Sequence, residues 1–567
     1  MKSMKKKIFS LGLFLGFVLL VGLPRFSPAF GAGAGNLGTD FWLTFPNSVL
    51  NAGQLQLLIS CGVNTSGTVQ VPGVAFSMPF TIPAGTTVTI PLGNNCFPLL
   101  SDAVTQLGIH VTSLDPVAVT GFNYQPLATD GYLALPTASE GTSYIALAYK
   151  DDLDSYPSEF AVAASQNATT LTITPSITVG IHPAGVAYTV SMNQGDVYQL
   201  VDGGAYGSDL SGSIITSNQP VGVWGAVYCA QVPPGYFYCN YIVEQLWPIS
   251  MWGTEFYTVP LATRANGDTF RFLAAQNGTV VSVNGTPMVT LSQDQYYETT
   301  LSTLSQITAN NPIYVMQYSN SNTYDNDTYA DPSMISIPPA VEYATSYLVS
   351  IPTSDFPENY ENVTVPTADV GLVTLDGAAI PAALFNPIGA SAYSGAAVSV
   401  TAASHQLSGP VSFGVVAYGF STTDAYGYPG GLLLQPVIAG TPTLSPTSTP
   451  TLTPTNSPTA TPSPTPTVTA TCTPSATPTC EMHIWPNPYN PKYAVNQSVK
   501  FDCFPANATL AIYTLSGELV NQITSSGPLV QWFGVNQQGA PVAPGVYYYV
   551  VESGNQVLRK GKLLVMR

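Results

Sequence analysis

The chain reads as an all-β protein: four tandem β-rich repeats, a Thr/Pro linker and a C-terminal Ig-like β-sandwich. Three observations predict this. Two short motifs recur in the same order along residues 38–440. Apolar residues there alternate, or form short runs bounded by Gly, Pro, Asn and Ser. An apolar stripe at helical spacing is hard to find.

The first motif is Gly38-Thr39-Asp40-Phe41, echoed by Gly141-Thr142-Ser143-Tyr144, Gly253-Thr254-Glu255-Phe256 and, more loosely, Ala344-Thr345-Ser346-Tyr347. The second is a polar turn followed by Pro and a β-branched run, centred on Pro116, Pro220, Pro312 and Pro410. Spacings of 104, 92 and 98 residues between these prolines give four units, 38–140, 141–252, 253–343 and 344–440. Pro lacks an N–H, so each is expected at an equivalent position, just before the first paired residue of a strand. In the third unit Val280-Val281-Ser282-Val283 and Met288-Val289-Thr290-Leu291 flank Asn284-Gly285, a type I′ hairpin signal. About seven short strands in about 100 residues predict a β-sandwich with one core per unit, a propeller-like arrangement being the alternative.

The ends differ in chemistry from this region. Lys2, Lys5, Lys6 and Lys7, the apolar run Ile8 to Leu23 and Ala32-Gly33-Ala34 predict a cleaved signal peptide, 1–34. No later run reaches the roughly 20 apolar residues a bilayer span requires, so a secreted or bacterial cell-surface protein that does not span the membrane is expected. Residues 441–480 are uncharged Thr, Pro and Ser, and predict an extended, solvated spacer. Residues 481–567 carry alternating apolar strands and Gly turns.

Charge excludes one partner class. Between 35 and 440 the basic residues are Lys150, Arg264 and Arg271 against 27 Asp and Glu, a net of −24, whereas 481–567 carries six basic and four acidic residues. Nucleic acid needs clustered Lys and Arg to displace counterions, so it is no partner. No Gly-x-Ser-x-Gly elbow, His-Glu-x-x-His motif or phosphate loop is present, so no enzyme is expected.

Among the seven cysteines, Cys229 and Cys239 flank a Pro233-Pro234-Gly235 turn, a good arrangement for a disulfide in an exported protein. Cys61 with Cys96 is a weaker second pair, and Cys472 with Cys480 could close a loop that leaves Cys503 unpaired. No two cysteines have zinc-ligand spacing. Calcium is the one candidate cofactor, on Asp325, Asp327 and Asp331 or on Asp151, Asp152 and Asp154, against the plainer reading of solvated loops.

Two resemblances follow from the motifs. Val243-Glu244-Gln245-Leu246-Trp247-Pro248 and Trp252-Gly253-Thr254-Glu255-Phe256, after Cys229 and Cys239, resemble the N-terminal domain of IgG Fc-binding proteins. So do Gly38-Thr39-Asp40-Phe41-Trp42-Leu43-Thr44-Phe45-Pro46, Asp331-Pro332-Ser333-Met334 and Phe356-Pro357-Glu358-Asn359-Tyr360, and the likeness covers most of 38–435. It implies a secreted β-rich binding or adhesive region with Cys229 bonded to Cys239. It does not imply antibody binding. Trp485-Pro486-Asn487-Pro488, Ala511-Ile512-Tyr513-Thr514-Leu515-Ser516-Gly517 and Pro544-Gly545-Val546-Tyr547 resemble the Ig-like domain of flagellar hook-capping proteins and type IX secretion sorting domains. That implies contact with secretion or surface-attachment machinery.

The expected function is therefore non-catalytic binding of, or adhesion to, an extracellular glycan or glycoprotein. A structural envelope component and a polysaccharide hydrolase are the alternatives, marked respectively by self-assembly without a ligand and by release of reducing ends.

Overall fold

The computed structural model describes residues 35–433, apart from 49–53, 99, 126, 151–155, 204–205 and 354, together with parts of 484–565. The expected signal peptide, the linker, Asp151, Asp152 and Asp154, and Cys472, Cys480 and Cys503 lie outside the described residues. The chain divides into two compact units, Met1–Thr447 and Ser448–Arg567. In the second, a three-stranded and a four-stranded sheet share a core that includes Phe501, Leu510, Trp532 and Tyr549.

The first unit is built from strands, and its few helical turns are three or four residues long among the described residues. One sheet order occurs four times. In the first repeat it runs Phe76–Ile82, Thr65–Val71, Ile109–Tyr124, Gln54–Cys61 and Thr86–Pro91, with Gly38–Leu43 and Asp130–Leu133 also pairing with the long strand Ile109–Tyr124. The corresponding long strands are Ile214–Ala230, Ser305–Ser319 and Ser404–Ser421.

The recurring motifs have local causes. Gly38, Gly141 and Gly253 open the first strand of their repeats because a Cβ there would lie 2.4, 2.4 and 2.3 Å from the Cβ of Pro136, Pro248 and Pro339, each near the end of the same repeat. Three residues on, Tyr144 donates to the Val221 carbonyl at 2.7 Å and accepts the Gly141 N–H at 2.8 Å. Tyr347 repeats this with Phe413 and Ala344.

The prolines are placed differently from the expectation. They lie inside the long strands, where register slips against the opening strand. Pro116, Pro220 and Pro312 precede Val117, Val221 and Ile313, which face Gly38, Gly141 and Gly253. In the fourth repeat Ala344 faces Phe413, so Pro410 stands two residues early and Ser412 takes the equivalent place. A bulge leaves residues unpaired, so the missing N–H breaks no ladder there. Beyond the bulge the strand changes partner: residues 110–113 pair with Thr65–Val71, and 118–124 with Gln54–Cys61.

The expectation of one core per repeat is also corrected. Each core joins neighbours: Trp224, Ala226 and Tyr241 pack with Phe41 and Val119, while Val223 and Val227 pack with Tyr314 and Tyr318. Tyr418 and Phe420 join Phe270 and Val315, and Phe122 joins Val363 and Val415, which returns the series to the first repeat. Alternation explains this: the far half of each long strand is buried on both faces, so successive residues enter different cores. Asn36 donates to the Leu432 carbonyl at 3.2 Å, joining the two ends.

At the centre stand four short strands, Asp130–Leu133, Asn240–Leu246, Ser333–Ser336 and Asp424–Pro429, each packed against two neighbours. The four β-rich repeats thus follow one another in a closed circular order. Each axial strand pairs only with its own long strand, which leaves a buried edge of polar backbone to satisfy. Side chains do so. Asp130 Oδ1 accepts the N–H groups of Gly131 and Gly427 at 2.9 and 3.1 Å, and Oδ2 those of Val243 and Met334, both at 3.1 Å. One carboxyl thereby takes an N–H from every repeat. Asn240 Nδ2 lies 2.7, 2.8 and 3.4 Å from the carbonyls of Thr129, Pro332 and Ala425, in the other three. Glu244 adds a bond from the Ser336 N–H at 3.1 Å.

Replacing Asp130 by Asn turns one acceptor into a donor that faces two N–H groups. The expected cost is about 3 kcal/mol, read as a shift in the urea midpoint of the full chain; a loss below about 1 kcal/mol contradicts the assignment.

Burial raises the carboxyls of Glu140 and Glu361 to about 8 and those of Asp268 and Asp424 to about 7. Folding therefore takes up protons between about pH 4 and pH 8, and stability must fall as pH rises through that window. His405 acts in the same direction. Burial pulls its pKa down, but the Thr401 carbonyl at 2.8 Å and Asp376 at 2.7 Å outweigh that and hold it above its usual value. The thermal midpoint is expected to be higher at pH 5 than at pH 8, and a midpoint that rises over this interval contradicts the assignment.

Candidate functional site

Each long strand turns into its axial strand through a hairpin loop, and the axial strands are aligned, so all four loops emerge at one end of the ring. They span 125–129, 231–239, 320–332 and 422–423. Loops on a rigid scaffold are where binding residues concentrate.

These loops brace one another. Asp424 accepts the Thr129 N–H at 3.0 Å and its hydroxyl at 2.8 Å. Ser321 and Val232 exchange bonds, Ser321 N to the Val232 carbonyl at 2.6 Å and Val232 N to Ser321 Oγ at 3.0 Å. The Phe237 carbonyl accepts both the N–H and the hydroxyl of Thr323, each at 2.7 Å. Thr423 N reaches the Thr328 carbonyl at 3.3 Å.

The loop 231–239 is closed at its base by the expected disulfide, Cys229 to Cys239, with Cα atoms 5.1 Å apart. Closing a loop of about ten residues restricts the unfolded chain by roughly 2 to 3 kcal/mol and fixes where the loop tip projects. At that tip Tyr236, Phe237 and Tyr238 are 40, 65 and 53% exposed. The Tyr236 ring meets Tyr324 edge to face at 4.9 Å, which sets its orientation. Leu127 and Tyr329 add exposed apolar surface from the first and third loops.

Behind the tip, Arg264 organises the acidic segment. Its guanidinium is buried, lies 4.7 Å from the Phe420 ring, and donates to Asp327 Oδ2 at 3.0 Å and the Tyr329 carbonyl at 2.9 Å. Asp325 Oδ2 lies 3.7 Å from the same group, and its other oxygen accepts the Asn266 N–H at 2.7 Å. Two of the three aspartates read as calcium ligands are thus gathered on a guanidinium. The third, Asp331, lies further along the same loop and is buried, its carboxyl pushed well up by burial and by Asp424, with Arg264 opposing. Among the described residues no three His, Cys, Asp or Glu side chains form a group that could hold a metal.

Cys61 and Cys96 are not bonded to each other. Both are buried free thiols, raised by desolvation, and Cys61 donates to the Pro116 carbonyl at 3.3 Å. Sequence reasoning missed Arg264 as the partner of the aspartates, although it was one of three cations in 400 residues. Nor did it single out Tyr236, Phe237 and Tyr238. The signal for the exposed triplet was present: three successive aromatics in a ten-residue disulfide loop cannot all turn inward.

Residues 130–419, just over half of the chain, match the family described as IgGFc binding protein. The IgGFc-binding protein of Homo sapiens is 27% identical over 341 residues, which cover 58% of this chain and 6% of the human protein, so this chain spans a small part of that relative. Among solved structures, PorZ, a surface component of the type-IX secretion system of Porphyromonas gingivalis, is 26% identical over 15% of this chain and 11% of its own, with a TM-score of 0.14. Latent PorU of the same organism is 10% identical over 61% and 31%, with a TM-score of 0.12. At such TM-scores neither likeness carries an argument. On the extent of the sequence match, this chain belongs to the IgGFc binding protein family.

Proposed function

We propose that the ring is a non-catalytic binding module for an extracellular glycan or glycoprotein, and that its loop end is the binding face. The observation that carries this reading is the aromatic tip Tyr236-Phe237-Tyr238, exposed on a loop fixed by a disulfide and braced by the neighbouring loops. Exposed aromatics on a rigid support contribute large contact area at low entropic cost, which is why they dominate interface energies. Family membership supports a binding role, since the human relative is named for binding IgG Fc. In this reading the chain is secreted or held at the cell surface, with the Thr/Pro spacer and the domain 481–567 serving export or attachment.

The test is an array of glycoproteins and glycans probed with the full chain and with the double variant Phe237→Ala, Tyr238→Ala. Loss of two anchoring rings is expected to weaken binding at least about tenfold while leaving the thermal midpoint within about 2 °C. Binding by the variant equal to that of the parent rejects the loop end as the site.

A further inference from the structure

The ring has three basic residues and each has an acidic partner, which bears on which ligands it can take. Of the three basic residues between 35 and 440, Arg264 and Arg271 have fully buried side chains. Arg271 donates to Asp209 and Glu298 at 2.8 and 2.9 Å, and Lys150 lies 3.5 Å from the same Glu298. Every positive charge is therefore committed within the fold. The remaining acids give the region an anionic field, which repels anionic ligands at the distances that govern encounter.

The loop end itself is closer to neutral than the rest. Asp325 and Asp327, its most prominent acids, are the two that share the Arg264 guanidinium, and Asp325 is almost fully buried. Both carboxylates are thus partly neutralised toward a cationic partner. What the tip offers instead is aromatic surface, together with the Tyr236 and Tyr238 hydroxyls.

We infer that the loop end recognises an uncharged glycan, with Phe237 and the flanking tyrosines stacking on sugar rings. Sialylated, sulfated and uronate-rich chains are disfavoured, because the one partly exposed cation of the three, Lys150, is already paired with Glu298. The inference rests on the binding reading above and specifies its ligand. A pyranose has an apolar C–H face and a polar hydroxyl rim; the first matches an aromatic face and the second the tyrosine hydroxyls. Because the site contributes no ion pair, neutral-ligand affinity should be nearly independent of salt, whereas residual affinity for an anionic chain should rise as salt screens the repulsion.

Dextran, mannan, galactan and xylan, each with its carboxymethylated derivative, provide the experiment, with the full chain and the Phe237→Ala, Tyr238→Ala variant measured at 50 and 500 mM salt. The expected result is retention by at least one neutral polymer, at least about fivefold weaker retention by its carboxymethylated form at low salt, and loss of both in the variant. Equal or tighter binding of the carboxymethylated form overturns the inference, as does neutral-polymer binding that survives the double substitution. No retention by any neutral polymer also counts against it. If binding appears on the glycoprotein array but persists after glycan removal, the face binds protein, and this inference fails while the binding reading stands. If the array is also blank, the binding reading fails with it.

Discussion

The Asp130 carboxyl, taking one backbone N–H from each of the four repeats, is the contact on which the rest of the ring depends. A ring of β units meets itself at an axis that water cannot reach, and the strands there pack against one another without pairing edge to edge. Their N–H groups would be left unsatisfied at a cost of several kcal/mol together. A side chain with two oxygens and four lone-pair sites solves the problem for four strands at once. Asn240 is its counterpart, supplying an N–H2 to carbonyls where Asp130 supplies acceptors. Both residues stand at the first position of their axial strands, so two polar side chains of opposite hydrogen-bonding sense close one end of the axis.

The proposed binding face follows from that closure. With the axial strands locked, the four hairpin loops emerge together and brace one another, and the loop with the disulfide can project three aromatic side chains. Arg264 serves the same end by another route, since it holds the acidic third loop against Phe420 of the fourth repeat. Shared cores extend the coupling to the whole ring: Phe122 sits among fourth-repeat residues and Trp224 among those of the first. Each repeat leaves a buried face that only its neighbour covers, so the ring is the cooperative unit.

Much of this was legible in the sequence, and the residues that misled did so for identifiable reasons. The Gly-Thr motif marked repeat boundaries because a Cβ at Gly38, Gly141 or Gly253 has no room beside a proline, a constraint that survives in the residue types. The prolines marked the right strands but a bulge instead of a strand start, since both environments spare the missing N–H and sequence does not distinguish them. Period-two alternation showed that Trp224 and Val223 point in opposite directions; it could not show that both directions are interior, because that depends on the neighbouring repeat. The aspartates near 325 were read as a cation site, and the cation facing two of them is Arg264, some 60 residues away in sequence. Asp130 carried no signal at all. A lone aspartate before a glycine reads as a turn, and only the ring shows why it is buried.

Native-state hydrogen exchange of the amides of Gly131, Val243, Met334 and Gly427 tests the central claim most directly. If Asp130 holds four repeats in one cooperative ring, these amides are opened only by unfolding of the ring, so all four should exchange with one common free energy and fall together in the Asp130→Asn variant. Four separate exchange free energies, one for each repeat, would contradict the account.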